Sequence, residues 1–387
     1  MESKLFFDVN DFRASTQEAF FSANPIDGNL FLSLISPDSP FPPPDLMLCV
    51  QTSGAEAKVV AVALVSPSHN LLLALDKSFL QEEAEAQEND GLKLDKVLDC
   101  IGRTLKEAMT SSSSSSVIVS HVAQLSASST LSSKFISRMS ALNFLSSSSL
   151  AMSQTLYLFN TSSFASSPST TETEEEMELR FAVLREEEEV KEVAPHYRDF
   201  LFEAWHQQRL VSLEEAHHRV SRPAKSGLLV ALTAVSSASS SSSLNGKEKK
   251  RKEEIACFCT MARCTDSLYR VTCLYCLPEY RKRGLGTRLM RETLDYMFGR
   301  KENSFKPLSS SSSSCSSSSS SSSSSSCSSS SSSSASALQE EEMVRGRQLI
   351  LYADKESAAA NAVYLKAGFT AYCAFEVHDL QWNVPSS

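Results

Sequence analysis

Two hydrophobic periods alternate along this chain. In the first half, alternating or continuous apolar runs suited to strands lie at Leu46–Gln51, Lys58–Leu64, Leu71–Leu75, Val117–His121 and Thr155–Asn160. Between them, apolar residues recur at helical spacing over Asp11–Ser22, Leu92–Ala108 and Lys134–Leu142. Strands alternating with helices predict an α/β layer. Pro40 to Pro44 reads as a stiff loop.

After an acidic, low-complexity stretch the pattern resumes. Leu179–Leu184 is strand-like, and Val190–Gln208 and Leu213–Val220 are helical. Strands follow at Gly227–Val235, Ile255–Arg263 and Tyr269–Cys276, then a helix over Thr287–Phe298. A strand at Gln348–Ala353, a helix over Lys355–Ala367 stopped by Gly368, and a strand at Phe369–Leu380 complete the series. The order of the second half is β-α-α-β-β-β-α-β-α-β.

Serine interrupts this pattern. Ser309 to Ser334 is nearly pure serine, and shorter tracts occur at Ser111–Ser116, Ser146–Ser149 and Ser236–Ser243. Such tracts bury too little apolar surface to offset ordering entropy, so each is expected to be a disordered insert in a loop. The largest insert spans about residues 305–342, and Ser236–Lys252 reads as a hairpin insert. Three parts are therefore expected: an α/β domain over residues 1–161, an acidic and serine-rich linker over 162–178, and a second α/β domain over 179–387.

Composition narrows the function. The chain has 387 residues and a net charge of −9, with no basic excess to neutralise nucleic-acid phosphates. The carboxylate runs at Glu172–Glu178 and Glu186–Glu189 read as solvated loop and helix-start faces. No apolar run reaches the roughly 18 residues a membrane span needs, and Met1-Glu2-Ser3-Lys4 lacks a signal peptide's basic start. A soluble, cytoplasmic protein is expected. The ten cysteines are scattered through strand-like runs, which fits reduced thiols rather than a disulfide framework. Cys257, Cys259, Cys264, Cys273 and Cys276 raise zinc as a rival, but Cys273 and Cys276 lie three apart in a strand and point to opposite faces, so no metal is expected.

The most informative chemistry is Arg281-Lys282-Arg283-Gly284-Leu285-Gly286. It sits between the strand ending at Cys276 and the helix beginning near Thr287. A strand that ends in a basic, glycine-bearing turn and opens into a helix is a ready anion site. The first-turn amides point outward, the helix dipole favours negative charge, and glycine permits close backbone approach. A pyrophosphate is the expected guest.

This turn, with its lead-in Leu274-Tyr275-Cys276-Leu277-Pro278-Glu279-Tyr280, resembles the acetyl-CoA signature of the GNAT superfamily of acyl-CoA-dependent acyltransferases. The later stretch Ala360-Asn361-Ala362-Val363-Tyr364-Leu365-Lys366-Ala367-Gly368-Phe369 resembles that superfamily's second motif. The resemblance covers roughly residues 179–380. It implies a GNAT α/β fold with a mixed central sheet flanked by helices. It also implies N-acetyltransfer from acetyl-CoA to a primary amine by direct attack on the thioester. Leu274 and Cys276 would pair with the pantetheine arm, and Lys282, Gly284, Leu285, Gly286 and Thr287 would hold the CoA pyrophosphate, with Arg281 and Arg283 adding charge. Asn361 would border the donor. A backbone amide near Cys276 or Leu277 would polarise the carbonyl, and Tyr364 would be the general acid, with Ser357 one turn earlier. No general base stands out among Glu203, His206 and Asp266. The acceptor is expected to be a small molecule or amino acid, or else a protein N-terminus or lysine. A catalytically silent acyl-CoA-binding module is the alternative class. Some members carry a degenerate N-terminal copy of the fold, and Val59 to Leu71 resembles the second and third strands of such a copy.

Overall fold

The computed structural model describes residues 1–36, 43–54, 56–66, 70–79, 91–110, 124–160, 178–205, 211–235, 253–298 and 347–383. The first half contributes β1 (Glu2–Phe6), α1 (Val9–Thr16) continuing as a π-turn (Gln17–Phe21), and α2 (Asn29–Ile35). Then come β2 (Leu46–Gln51), β3 (Val59–Val65), β4 (Asn70–Leu75), α3 (Gly91–Thr110), β5 (Gln124–Ser128), α4 (Ser129–Ala141) and β6 (Leu145–Asn160). The second half contributes β7 (Glu178–Val183), α5 (Glu187–Trp205), α6 (Leu213–Lys225), β8 (Leu229–Val235), β9 (Glu253–Arg263) and β10 (Leu268–Cys276). A 3₁₀ turn (Pro278–Tyr280), α7 (Leu285–Met297), β11 (Gln348–Asp354), α8 (Ala358–Lys366) and β12 (Thr370–Trp382) complete it.

The second half has the expected order, and the first half repeats it. All the described strands join one sheet in the order β1-β2-β3-β4-β5-β12-β6-β11-β10-β9-β8-β7. The last strand of each half crosses over: β6 pairs with β11, β12 pairs with β5, and the two pair with each other. The strand at Thr370 to Trp382 therefore lies in the middle of the sheet rather than at an edge.

Local chemistry accounts for the elements. β3 is buried along its whole length and reads as a continuous apolar run. Glu189 starts α5 by accepting from the backbone amides of Arg185 and Glu186, so the Glu186–Glu189 run is indeed a helix start. Ser212 caps α6 through the amide of Glu215. Leu285, Leu289, Met290, Leu294 and Met297 form the buried stripe of α7 against β8 to β11.

Two expectations change. Ser146–Ser149 is not a disordered insert but the start of β6, because backbone pairing with β12 holds it and Gln381 accepts from the Ser146 and Ser147 hydroxyls. The sheet includes an N-terminal strand, β1, so the runs from Val59 and Asn70 are the third and fourth strands of the first half, not its second and third. The strand after α3 is β5, whereas Val117–His121 lies outside the described residues, as do Pro40–Pro42, Ser111–Ser116, residues 236–252 and residues 305–342. No described helix is long and apolar enough to cross a membrane.

Candidate active site

The site begins where two parallel strands part. β10 pairs with β11 only from Leu268 to Val271, whereas its antiparallel pairing with β9 runs on to Cys276. β11 meanwhile stays with β6 through Asp354. The far edge of β10 is thus uncovered beyond Val271. The Leu277 amide donates to the carbonyl of Ala256 on β9 at 3.0 Å, so Leu277 is committed to the sheet. Alternation then turns the backbone groups of Leu274 and Cys276 toward the open edge.

The basic turn follows at once. Lys282 (φ 63°) and Gly284 (φ 73°) both take left-handed conformations, which gathers consecutive amides into a concave, anion-accepting arc. Gly284 is the N-cap of α7, and no side chain caps this helix start. A Cβ at Gly284 would meet no atom within 4 Å, so the backbone conformation, not crowding within the chain, calls for glycine. A Cβ at Gly286 would stand 3.6 Å from Cys276 Sγ and from Val363, an ordinary contact distance.

Arg281 turns away from this arc. Its Nε donates to the Cys276 carbonyl at 3.0 Å and its Nη2 to Glu203 on α5 at 2.7 Å. Its guanidinium lies 5.1 Å from the centre of the Tyr275 ring. Tyr275 donates its hydroxyl to Glu203 at 3.0 Å, and burial, reinforced by Glu203, pushes its phenol up to about 12. Arg281 is thus a strut that fixes the last carbonyl of β10. Arg283 stacks over Tyr280 at 5.9 Å. Lys282 lies in the turn, and Leu285 and Thr287 lie in the first turn of α7.

Tyr364 on α8 is buried against Tyr157, with ring centres 5.9 Å apart, and Phe369, at 6.2 Å. Burial raises its phenol well above the usual tyrosine range, with the cysteines of β9 and β10 adding to the effect. A proton-donating role requires the protonated form, and this setting keeps it protonated. Asn361, one turn earlier on the same face, engages both ends of its amide. Its Nδ2 donates to the carbonyls of Asp354 and Lys355 at 2.9 and 3.3 Å, and its Oδ1 accepts from the Tyr157 hydroxyl at 3.0 Å. Asn361 therefore braces the loop before α8 and orients Tyr157. Ser357 makes no side-chain cap for α8.

Tyr157 is the participant that local sequence patterns do not reveal. It lies on β6, in the first half, and reaches this site only because β6 crosses over to β11. Glu203 and Tyr275 emerge as partners of Arg281. Asp266 is tied to Arg263 away from the turn, and His206 lies outside the described residues. Cys273 packs with the α5 and α6 layer and Cys276 with the α7 and α8 layer, on opposite faces as alternation requires. No group of three metal-ligating side chains with suitable geometry occurs among the described residues.

Residues 190–306 match the sequence model of the acetyltransferase (GNAT) family. The matched stretch runs from the first turn of α5 to beyond α7 and includes the whole turn, while α8 with Tyr364 lies outside it. No curated protein matches the sequence. Similar solved structures include a GNAT-family acetyltransferase from Colwellia psychrerythraea, 10% identical, covering 99% of this chain and 100% of that one at a TM-score of 0.48. A tandem GNAT protein from the clavulanic acid biosynthesis pathway is 12% identical, with full coverage of both chains and a TM-score of 0.48. A GCN5-related N-acetyltransferase from Sphaerobacter thermophilus is 12% identical, covers 100% of this chain and 97% of that one, and has the same TM-score. The match to the GNAT acetyltransferase family, over residues 190–306, falls on the strand, turn and helix described above.

Proposed function

We propose that the second half, residues 179–387, is an N-acetyltransferase that uses acetyl-CoA, and that residues 1–161 are a second copy of the same scaffold without a donor site. The observation that carries the donor reading is the meeting of an open strand edge with an uncapped, left-handed turn. Leu274 and Cys276 offer backbone groups on that edge, suited to an arm that adds like a strand. The amides from Lys282 to Thr287 suit a pyrophosphate. The structure favours Arg281 as a strut rather than a phosphate ligand, and Asn361 as a brace.

In the reaction, an acceptor amine attacks the thioester carbonyl directly. The amide of Cys276 is the proposed donor to the developing oxyanion, because the Leu277 amide is already held by Ala256. Tyr364 protonates the departing CoA thiolate. The acceptor approaches from the α5 side, past Glu203 and Tyr275, and is a primary amine on a small molecule or amino acid.

Thiol release from acetyl-CoA in the presence of an amine panel tests this reading. Wild type turns over at least one amine, and Tyr364→Phe binds acetyl-CoA but turns over slowly. Binding without turnover of any amine, including peptide N-termini and lysines, makes the chain a donor-binding module. A chain that acetyl-CoA does not stabilise at all refutes the donor site.

A further inference from the structure

Cys257 on β9 and Cys276 on β10 stand directly opposite one another in the antiparallel ladder. The adjoining pair, Ala256 and Leu277, is hydrogen-bonded through the Leu277 amide. The cysteine pair therefore occupies a non-hydrogen-bonded position, where Cα atoms approach to about 4.5 Å and side chains are closest. That separation lies within the range a disulfide spans without moving the backbone. The two sulfurs are 2.7 Å apart.

The two thiols differ in setting. Cys257 is fully buried, whereas Cys276 is half-buried at the end of the strand. The hydrogen bond from Cys257 holds the Cys276 thiol below the ordinary cysteine range, with Arg281 assisting, while burial pushes Cys257 up. One thiol is thus reachable and inclined to ionise, and the other is protonated and adjacent. This is the division of labour between an attacking and a resolving cysteine.

We propose that Cys257 and Cys276 form a redox-active dithiol that a peroxide closes to a disulfide. The Cys276 thiolate attacks one peroxide oxygen and the O–O bond breaks. The hydroxide released takes a proton and leaves as water, and Cys276 becomes a sulfenic acid. The Cys257 sulfur then attacks the Cys276 sulfur. The S–O bond breaks, the S–S bond forms, and the Cys257 proton leaves with the hydroxyl as a second water. The sulfur pair loses two electrons and the peroxide gains them. The pair's position beside the donor rests on the acetyl-CoA reading above. On that reading a bound donor lies along the Cys276 edge and shields its thiol, so donor occupancy and oxidation oppose one another.

The test exposes the full chain to hydrogen peroxide and maps its peptides without reduction. The expected result is one cross-link joining the Cys257 and Cys276 peptides, released by dithiothreitol. Cys257→Ser instead leaves a sulfenic acid on Cys276 that dimedone traps. Saturating acetyl-CoA slows closure by about tenfold or more, because only the free fraction exposes the thiol. Wild type whose two thiols both take up maleimide on denaturation after peroxide overturns the proposal, as does a cross-link from Cys276 to Cys259 or to another chain. Closure at an unchanged rate, with no thermal stabilisation by acetyl-CoA, upholds the dithiol and refutes the donor placement instead.

Discussion

The two halves repeat one order of elements around a shared sheet, and both part their central parallel strands in the same way. β4 pairs with β5 only from Asn70 to Leu72, as β10 pairs with β11 only to Val271. The residue after each strand donates its amide to the neighbouring antiparallel strand: Asp76 to Val60 at 2.9 Å, and Leu277 to Ala256 at 3.0 Å. Beyond that point the halves diverge. In the first half, Asp76 is buried and its carboxylate accepts from the Ser78 amide and hydroxyl, both at 2.9 Å, and pairs with Lys58 at 2.6 Å. In the second half, a left-handed turn presents its amides with no capping side chain. On the proposed reading, the first half supplies its own anion and the turn after β10 takes a foreign one, so that a few residues after one strand, rather than the scaffold, confer donor binding.

Changing the turn itself should have the largest effect. Gly284→Glu places a carboxylate where the pyrophosphate is proposed to sit and forces a side chain into a left-handed conformation. We expect acetyl-CoA affinity to fall by at least about 100-fold, close to 3 kcal/mol, read by calorimetry. Gly284→Ala carries the conformational cost of about 1 kcal/mol without the charge, and should weaken binding less while keeping the fold by thermal melt. Asp76→Asn, the matched change in the first half, should leave affinity at the wild-type value. Equal losses at Gly284 and Asp76 would erase the distinction between the halves.

Tyr364→Phe comes next. Phenylalanine retains the packing against Tyr157 and Phe369 but removes the transferable proton. The expectation is a fall in kcat of about 100-fold with donor affinity within about threefold, measured by thiol release and calorimetry. An unchanged kcat would assign the proton to another group.

The turn, α7 and the α8 motif were legible in the sequence because their signals are local: a glycine and a basic run between a strand and a helix, and helical spacing from Asn361 to Tyr364. The site's cross-links were not. Arg281 reads as a phosphate ligand by composition, yet Glu203 stands 78 positions earlier and only the packing of α5 on β10 brings it near. Tyr157 reads as one more apolar strand residue, and its role depends on a strand crossing between halves. The strand at Ser146–Ser149 escapes a reading of composition for a related reason. Composition reports the burial a segment can supply, whereas β6 is held there by backbone pairing with β12, to which an exposed serine is no obstacle. The short β1 and β5 carry too few apolar positions to announce themselves.

Tyr157→Phe probes whether the halves work as one. The change removes the hydroxyl that Asn361 accepts and leaves the ring in place. Loss of one part-buried hydrogen bond costs about 1 kcal/mol, so a decrease in Tm of about 2–4 °C is expected. A fall in kcat of about threefold should accompany it as Tyr364 loses a fixed neighbour. A matching change on the first half's outer strands, Ser3→Ala, removes the Ser3–Thr104 hydroxyl contact and should leave kcat untouched. If both variants slow the reaction equally, the effect is one of general stability.

The smallest effect belongs to the first half's internal anion. Burial alone would raise the Asp76 carboxyl, but the hydrogen bonds from Lys58 and Ser78 more than offset it and hold the group below the usual carboxylate value. A carboxylate depressed in the folded state contributes stability that is present above its unfolded pKa of about 3.9 and is lost as pH falls through its folded value. Wild type should therefore exceed Asp76→Asn in Tm by about 2 °C at neutral pH. The margin should hold down to about pH 5 and close below about pH 4 as Asp76 takes up its proton. Melting curves across this range measure it. A margin that persists at the acid end would mean that Asp76 acts through shape and packing rather than charge.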